Sequence, residues 1–403
     1  MPAADNAPLR ILHAPRNIAG QASDVVAALR RLGHEAELWE TRADPFGRPS
    51  DRILQLDPRD ARPTWHALRE LVERFDVVHF HFAETFVPKS GTLPPFWDVP
   101  LLRAIGLRVY MTFHGSDIRM ARVHAEINPW NHLFAQSSEP DDDRVEKTIQ
   151  VLRTYCDALF VQSAGQLAYV PDAVYLPRVI DLAQWPATSP RDHALPVVVH
   201  APTRRSTKGT ELLLPVLDGL RAQGVEFELR LLEGLPNSAV REALADADIL
   251  VDNLVAGSYG IVSLEAMASG AVAVSNFSDS VLAAHPDLPV VRIDPHTVAD
   301  RLARLLRDPD ERRRLAVVGR AFVERVHSAD VAAAVLVEHY RAPRRPVPNR
   351  AMPDWISLAR ARRIELLETR LGKLEQDLAR ARLREDALRQ LVRTGDARLW
   401  KLE

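Results

Sequence analysis

The sequence predicts an α/β protein in which two doubly wound, Rossmann-like domains face each other and a separate helical tail follows. Three observations predict this class. Short apolar strand candidates alternate with helix candidates twice along the chain, a proline-containing segment separates the two series, and a heptad pattern of leucines occurs only near the C-terminus. Strand–helix alternation is typical of parallel sheets that carry helices on both faces.

The first predicted domain covers residues 1–185. An apolar strand at Leu9–His13 is followed by a polar loop and then by helical spacing over Ala22–Leu32, which Gly33 ends. Further short apolar runs predict strands at Glu35–Trp39, Asp76–Phe82, Leu107–Thr112 and Ala158–Gln162.

The second predicted domain covers residues 186–340 and follows a proline-containing crossing segment, Tyr175–Pro190. Residues 298–340 are typical of ordinary packing helices. Before them, strands are predicted at Val197–His200, Phe227–Leu232, Ile249–Asp252, Val272–Asn276 and Val290–Ile293, and helices at Gly209–Gln223, Asn237–Ala245 and Gly260–Ser269.

The C-terminal part divides into a proline-rich linker, residues 341–354, and a helical tail, residues 355–403. The tail carries a seam of apolar residues at alternating steps of three and four: Ile364, Leu367, Leu371, Leu374 and Leu378. The pattern continues through Ala381 to Leu388 and Val392, with Glu385 on a seam position. It predicts a coiled coil that joins two copies of the chain in a homo-oligomer, with intramolecular packing or a membrane surface as alternatives.

Composition narrows the class of partner. Of the 403 residues, 46% are hydrophobic and 26% charged, which is typical of a globular protein, and the net charge of −2 gives no reason to expect a nucleic acid. Cys156 is the one cysteine, so no disulfide can form within the chain. Neither a signal peptide nor an apolar run of about 20 residues is present, and we expect a cytoplasmic protein, with peripheral membrane association left open.

Ligands of doubly wound sheets bind beyond the carboxyl ends of the strands, so the loops that follow strands hold the candidate site residues. The loop after Val197–His200 contains Arg204, Arg205, Lys208 and Gly209 in front of a predicted helix. Cations beside a helix N-terminus suit a diphosphate, and the alternative is a solvated basic loop. Because Lys208 lies in a loop, its removal is expected to cost little core packing.

A second glycine-containing loop precedes the helix that begins near Gly260. Gly257 and Gly260 allow close approach of the backbone to a ligand, and Ser258 and Tyr259 lie between them. Glu265 follows about one turn into the helix, where its carboxylate can accept hydrogen bonds from two ribose hydroxyls. Taken alone, Glu265 is more typical of a surface glutamate on a helix.

The first domain offers two further loops. His114, Gly115 and Asp117 directly follow a predicted strand, which directs the histidine towards the cleft between the domains unless it only caps or packs. The earlier loop, Asn17–Gln21, contains Gly20 and could approach phosphates through its backbone.

Together these motifs resemble the retaining GT-B glycosyltransferases, family 4 in particular, over residues 9–341. The resemblance lies in Phe113–Asp117, Lys208–Gly209 and Tyr259–Gly270, and in the segments Asp76–His79 and Cys156–Ser163, in the same order along the chain. It implies transfer of a sugar from a nucleotide-diphosphate sugar to a hydroxyl acceptor with retention of anomeric configuration, in glycan, polysaccharide or glycoconjugate synthesis. It implies no cofactor beyond the donor substrate, and no metal.

The resemblance also implies roles for residues. Lys208 and either Arg204 or Arg205 would bind the diphosphate, Glu265 the ribose, and His114 would lie near the reacting sugar. The family has a second glutamate eight positions before Glu265, where this chain has Gly257, and this departure leaves the donor sugar open. Two other functions remain as alternatives: a nucleotide-sugar epimerase or phosphorylase on the same fold, and a catalytically lapsed scaffold in a glycan-assembly complex.

Two motifs resemble metal sites. The acidic triplet Asp141–Asp143 is interpreted as the acid-rich start of a helix. His79 and His81 alternate on a strand without a carboxylate or cysteine cluster nearby, and we interpret them as buried strand histidines.

Overall fold

The structure, a computed structural model, describes residues 7–45, 47–89, 93–131, 141–186, 193–346, 368, 371–386 and 389. Its first sheet has seven strands in the order β3-β2-β1-β4-β5-β6-β7, and every pairing is parallel. The strands are β1 Arg10–Ala14, β2 Glu35–Glu40, β3 Arg52–Ile53, β4 Val77–His81, β5 Arg108–Phe113, β6 Ala158–Val161 and β7 Val174–Tyr175.

The second sheet has five parallel strands in the order β12-β11-β10-β8-β9. They are β8 Val197–His200, β9 Glu228–Leu231, β10 Ile249–Val251, β11 Val272–Ser275 and β12 Val291–Arg292. The two doubly wound, Rossmann-like units expected from the alternation of strands and helices are confirmed. They are called the first and second domain below.

Helices cover both sheets because their apolar faces pack on the buried strands. Those of the first domain are α1 Gln21–Arg31, α2 Ala61–Arg74, α3 Asp98–Ala104, α4 Ala121–Ile127 and α5 Asp142–Tyr155. The remaining helices are α6 Arg205–Lys208, α7 Thr210–Ala222, α8 Asn237–Ala245, α9 Ile261–Ala268, α10 Asp279–Ala284, α11 Val298–Arg307, α12 Pro309–Phe322 and α13 Ala329–Arg341.

The last of these helices, α13, crosses back to the first domain. Its buried residues, which include Ala333, Leu336 and Tyr340, belong to the same core cluster as Ile11 and Leu29. The chain immediately after α13 also contacts this domain, where the Arg344 side chain donates to the backbone oxygens of Gly106, Arg103 and Leu107. The first domain is therefore built from the N-terminal part of the chain together with α13 and the segment that follows it.

In the tail, residues 371–386 are helical. The seam residues Leu371, Leu374 and Leu378 each expose more than half of their surface. The remaining apolar seam positions, Ile364, Leu367, Leu388 and Val392, lie outside the described residues. Across the described ranges, no helix has the length and apolarity needed to cross a membrane.

Candidate active site

Two cavities lie at the carboxyl ends of the strands. The larger, called the second-domain cavity, encloses about 300 Å³ and is lined by Ala19, Arg48, Ala201, Pro202, Thr203, Lys208, Leu232, Gly234, Leu235, Asn237, Val240, Ile261, Val262 and Glu265. The smaller, called the cleft cavity, encloses about 70 Å³ between the domains and is lined by His114, Gly115, Arg119, His124, Ile127, Asn128, Ser163, Gly165, Gln166, Tyr169, Arg178, Ala256, Gly257, Ser258 and Ser278. The predicted site residues divide between these two cavities.

Lys208 enters the second-domain cavity from the last turn of α6 and forms an ion pair with Asp252. Asp252 directly follows β10, is fully buried, and also accepts hydrogen bonds from the Gly260 backbone N–H and, at 2.7 Å, from Ser263 Oγ. Burial acts to raise the pKa of Asp252, but the charge of Lys208 and these hydrogen bonds outweigh it and hold the pKa below its usual value. The expectation that removal of Lys208 costs little core packing stays a prediction, but its ammonium neutralises a buried carboxylate, which is a separate contribution to stability.

Glu265 lies on the opposite wall of the same cavity. It is buried on α9, accepts a hydrogen bond from Asn237 Nδ2 at 3.1 Å, and lies 3.6 Å from the Arg48 guanidinium of the first domain. Burial raises the pKa of Glu265, and Arg48 and Asn237 partly offset the shift. Lys208 and Glu265, which are far apart in sequence, thus meet in one cavity.

The two predicted arginines are not part of this cavity. Arg204 precedes α6 and is exposed. Arg205 is half-buried and pairs with Glu211 at 2.6 Å and with Glu233 at 3.0 Å. The described cations that line the cavity are Lys208 and Arg48.

Gly20 makes room for Arg48. Its φ of +81° is in the left-handed region, and a Cβ there would lie 2.7 Å from Arg48 Nε. The glycine predicted to approach a phosphate therefore lies against the guanidinium that reaches into the second-domain cavity.

The loop after β5 places His114 at the cleft cavity. The backbone N–H groups of His114 and Gly115 donate to the Asp117 carboxylate at 3.0 and 2.7 Å, which fixes the turn. Burial raises the pKa of Asp117 to about 6 despite these hydrogen bonds. Gly257 lines the cleft cavity from the second domain, so the structure brings His114 and Gly257 together.

The remaining predicted residues surround these two cavities. Gly209 separates α6 from α7 in a left-handed conformation. Ser258 Oγ lies 3.2 Å from Ser163 Oγ across the cleft, and Gly260 precedes α9. The ring of Tyr259 packs in the core, where its hydroxyl lies 3.1 Å from His327 Nε2, and it lines neither cavity.

A chain of hydrogen bonds extends from His114 into the first domain. His114 Nε2 lies 3.1 Å from His81 Nδ1, and His81 Nε2 lies 2.9 Å from His13 Nδ1. His13 Nε2 lies 3.3 Å from the Tyr340 hydroxyl. That hydroxyl lies 2.6 Å from His79 Nδ1, and His79 Nε2 lies 2.6 Å from Thr112 Oγ1.

Burial keeps the four histidines of this row of hydrogen bonds neutral. It lowers the pKa of His81 to about 3 and lowers the pKa values of His13, His79 and His114 well below their usual range, and repulsion between the neighbouring rings adds to the effect for these three. The prediction that His79 and His81 are buried strand histidines is confirmed.

The acidic triplet Asp141–Asp143 forms the start of a helix, as predicted. Asp141 caps α5 by accepting from the Arg144 backbone N–H, and Asp142 and Asp143 lie in the first turn. Within the described ranges, no group of three or more histidine, cysteine, aspartate or glutamate side chains could hold a metal ion.

Charged and polar residues at and beside the two cavities were missed, among them Arg48, Arg119, Asn128, Arg178 and Asp252. Arg48 and Arg178 lie in irregular segments without a periodic pattern, and Asn128 and Arg119 lie near the ends of α4. Asn128 donates to the Val255 carbonyl at 2.9 Å across the cleft. Of these, only Asp252 could have been found from the sequence, since it is a carboxylate directly after a predicted strand.

Known structures share this architecture. No family model matches the sequence, and no curated protein matches it either. Sucrose-phosphate synthase from Thermosynechococcus elongatus is similar with a TM-score of 0.57 and 15% identity, over 82% of this chain and 98% of that one. The catalytic domain of Arabidopsis thaliana starch synthase IV, bound to ADP and acarbose, has a TM-score of 0.53 and 14% identity, over 83% and 99%.

Anabaena HepE, in complex with UDP and glucose, is also similar, with a TM-score of 0.51 and 13% identity over 82% of this chain and 98% of that one. At these identities the likeness shows the fold. The chain therefore has the GT-B fold of these solved structures, with two facing Rossmann-like domains.

Proposed function

We propose that the protein is a retaining glycosyltransferase that moves a hexosyl group from a nucleotide-diphosphate sugar to a hydroxyl acceptor. One observation carries the proposal. Lys208, Glu265 and the start of α9 converge on one cavity at the carboxyl ends of the second sheet, where doubly wound domains bind nucleotides.

The cavity offers a separate partner for each part of such a donor. The diphosphate binds beside Lys208 and the N-terminal end of α9, where a cation and a helix dipole both favour negative charge. The ribose hydroxyls donate to Glu265, and the base packs against apolar residues such as Leu232 and Leu235. Arg48 supplies a second positive charge from the first domain.

The chemistry follows from this placement. The bond between the anomeric carbon and the diphosphate oxygen breaks while the acceptor oxygen bonds to the same face of that carbon. The acceptor proton passes to the departing phosphate oxygen. Lys208 stabilises the charge that develops on the diphosphate, and His114 positions the sugar.

A nucleotide screen tests the proposal. Isothermal calorimetry with UDP, ADP and GDP is expected to find at least one that binds, and the corresponding nucleotide sugar should release that diphosphate when an acceptor is present. Arg205→Gln is the matched control because Arg205 is a cation of the same short helix, α6, that lies outside the cavity. If Lys208→Met binds every diphosphate as tightly as wild type does, the assignment of the cavity is wrong.

The same screen distinguishes the alternative functions. An epimerase or phosphorylase would alter the nucleotide sugar without an acceptor, and a lapsed scaffold would release no diphosphate under any condition. UDP and ADP are the first probes because the similar structures of HepE and starch synthase IV contain them.

We also propose that the tail joins two copies of the chain. Leu371, Leu374 and Leu378 lie along one helical stripe and are more than half exposed in the single chain. Pairing of two such stripes removes this apolar surface from water.

A further inference from the structure

The cleft cavity has an excess of positive charge. Arg178 and Arg119 both line it, and none of its described lining residues is an aspartate or a glutamate. Arg119 interacts with the hydroxyl of Tyr169 and with the charge of Asp117, whereas Arg178 has only uncharged hydrogen-bond acceptors. The cavity is therefore suited to an anion.

Arg178 is the main basis for this inference. Its Nη1 donates to Ser258 Oγ at 3.2 Å and to the Tyr259 carbonyl at 3.1 Å, and both acceptors are uncharged. Within the described part of the chain, no carboxylate forms an ion pair with it. Burial lowers the pKa of Arg178, although the charge of Asp252 acts in the opposite direction. A guanidinium stays protonated, so a bound anion would relieve this cost.

Because position 257 is a glycine, the chain itself places no carboxylate there to balance the charge of Arg178. Its φ of +72° is in the left-handed region, and a Cβ built on it would lie 3.6 Å from the Asn128 side chain. A glutamate at this position would be strained, and it would bring a negative charge to the same cavity as Arg178. With glycine, the positive charge remains available to a ligand.

We propose that the cleft cavity binds the carboxylate of an acidic transferred sugar, with Arg178 as its principal partner and Arg119 as the second. This inference rests on the proposed function. His114, which the proposed function places beside the transferred sugar, lines the cavity, and the chain runs from Gly257 in its lining to the start of α9, where the diphosphate is placed. The anionic group is therefore on the transferred sugar itself.

Both domains contribute to this cavity, and two contacts cross the cleft beside it. Asn128 donates to the Val255 carbonyl at 2.9 Å, and Ser163 Oγ lies 3.2 Å from Ser258 Oγ. A group bound here therefore contacts residues of both domains.

A matched pair of donors tests the inference on the full chain. After the screen has identified the base, calorimetry compares the glucuronate and glucose esters of that diphosphate, for uridine UDP-glucuronate and UDP-glucose. Wild type is expected to bind the glucuronate ester roughly 10- to 100-fold more tightly, as for a hydrogen bond to a charged group. Arg178→Gln should lose this preference, Arg178→Lys should retain most of it, and both should bind the free diphosphate as wild type does.

A second variant tests the inference without changing Arg178. Ser278→Asp adds a negative charge to the lining of the cavity and should reduce the preference in the same way. If the diphosphate binds but the two esters bind equally, or if Arg178→Gln keeps the preference, the inference is overturned while the proposed function stands. If Arg178 were only a link between the domains, its variants would weaken both esters equally. If no nucleoside diphosphate binds, the proposed function fails first.

Discussion

The guanidinium of Arg48, in the first domain, lies 3.6 Å from the carboxylate of Glu265, in the second. The two side chains are mostly buried, with exposed fractions of 17% and 8%. A nucleotide whose ribose binds Glu265 would therefore lie beside a side chain of the first domain. Through this contact the first domain contributes to the lining of the second-domain cavity.

We expect wild type to discriminate a ribonucleoside diphosphate from its 2′-deoxy analogue by about 1–3 kcal/mol, because the analogue leaves a buried carboxylate with an unmade hydrogen bond. Glu265→Gln should lose most of this difference, and Arg48→Gln should keep it. Glu233→Gln is the control, since Glu233 pairs with Arg205 outside the cavity. Calorimetry with both nucleotides measures the effect, and equal affinities in wild type would remove Glu265 from the ribose site.

Lys208→Met should destabilise the protein by about 3–5 kcal/mol, because it leaves the carboxylate of Asp252 buried without a cation. The double variant Lys208→Met/Asp252→Asn should recover most of that stability but not the binding of a nucleoside diphosphate. Urea unfolding and calorimetry separate the two effects. Recovery of binding in the double variant would show that Lys208 acts on Asp252 and not on the ligand.

The folded-state pKa of His81, about 3, is lower than that of an unfolded histidine. Between about pH 6.5 and 3 the unfolded state binds a proton at this position that the native state does not. The contribution to stability is therefore complete above pH 6.5 and falls by about 1.4 kcal/mol per pH unit as the pH decreases. His81→Gln should reduce the pH dependence of the unfolding free energy by that amount.

Comparison with wild type isolates this effect. The raised pKa values of Asp24, about 7, and of Asp98 and Asp117, about 6, act in the opposite direction in both proteins and cancel in the difference. His66→Gln is the control because His66 is exposed on α2. An identical slope in wild type and His81→Gln, from denaturant unfolding at pH 7.5 and 5.5, would contradict the neutral state of His81.

Full-length protein should be dimeric at micromolar concentration, and a chain that ends at Pro346 should be monomeric and still bind nucleotide. Within the full chain, Leu374→Glu places a charge on the seam and should dissociate the dimer. Leu383→Glu is the matched control, because Leu383 is an exposed leucine of the same helix that lies off the seam. Light scattering measures the mass, and a monomeric wild type would exclude the homodimer.

The strands were predictable because a buried parallel strand leaves a local signal, a short run of apolar residues such as Val197–His200. The second-domain residues Lys208 and Glu265 were predictable because each lies in or after a loop that follows a strand. The apolar face of α13 indicated that the helix is buried, but no local pattern indicates which sheet it packs against. In the structure it packs on the first sheet.

The arginines that line the two cavities could not be identified from the sequence either. Arg204 and Arg205 follow a predicted strand but lie outside the cavities, whereas Arg48 and Arg178 reach the cavities from irregular segments. The contact of Arg48 with Glu265 joins residues more than two hundred positions apart, in different domains. Such contacts depend on how the domains face each other, which no local pattern encodes.

The row of histidines behind His114 has two arrangements of its hydrogens in which all bonds point the same way. A neutral imidazole has one nitrogen that donates and one that accepts, so each ring passes the direction on to the next, and the Tyr340 hydroxyl does the same when it accepts from one neighbour and donates to the other, from Thr112 through His79, Tyr340, His13 and His81 to His114. In one arrangement every bond points towards His114, whose Nδ1 then carries a hydrogen, and in the other every bond points away and Nδ1 has a lone pair. Reversal of the whole row changes what His114 presents without creating a charge in the interior.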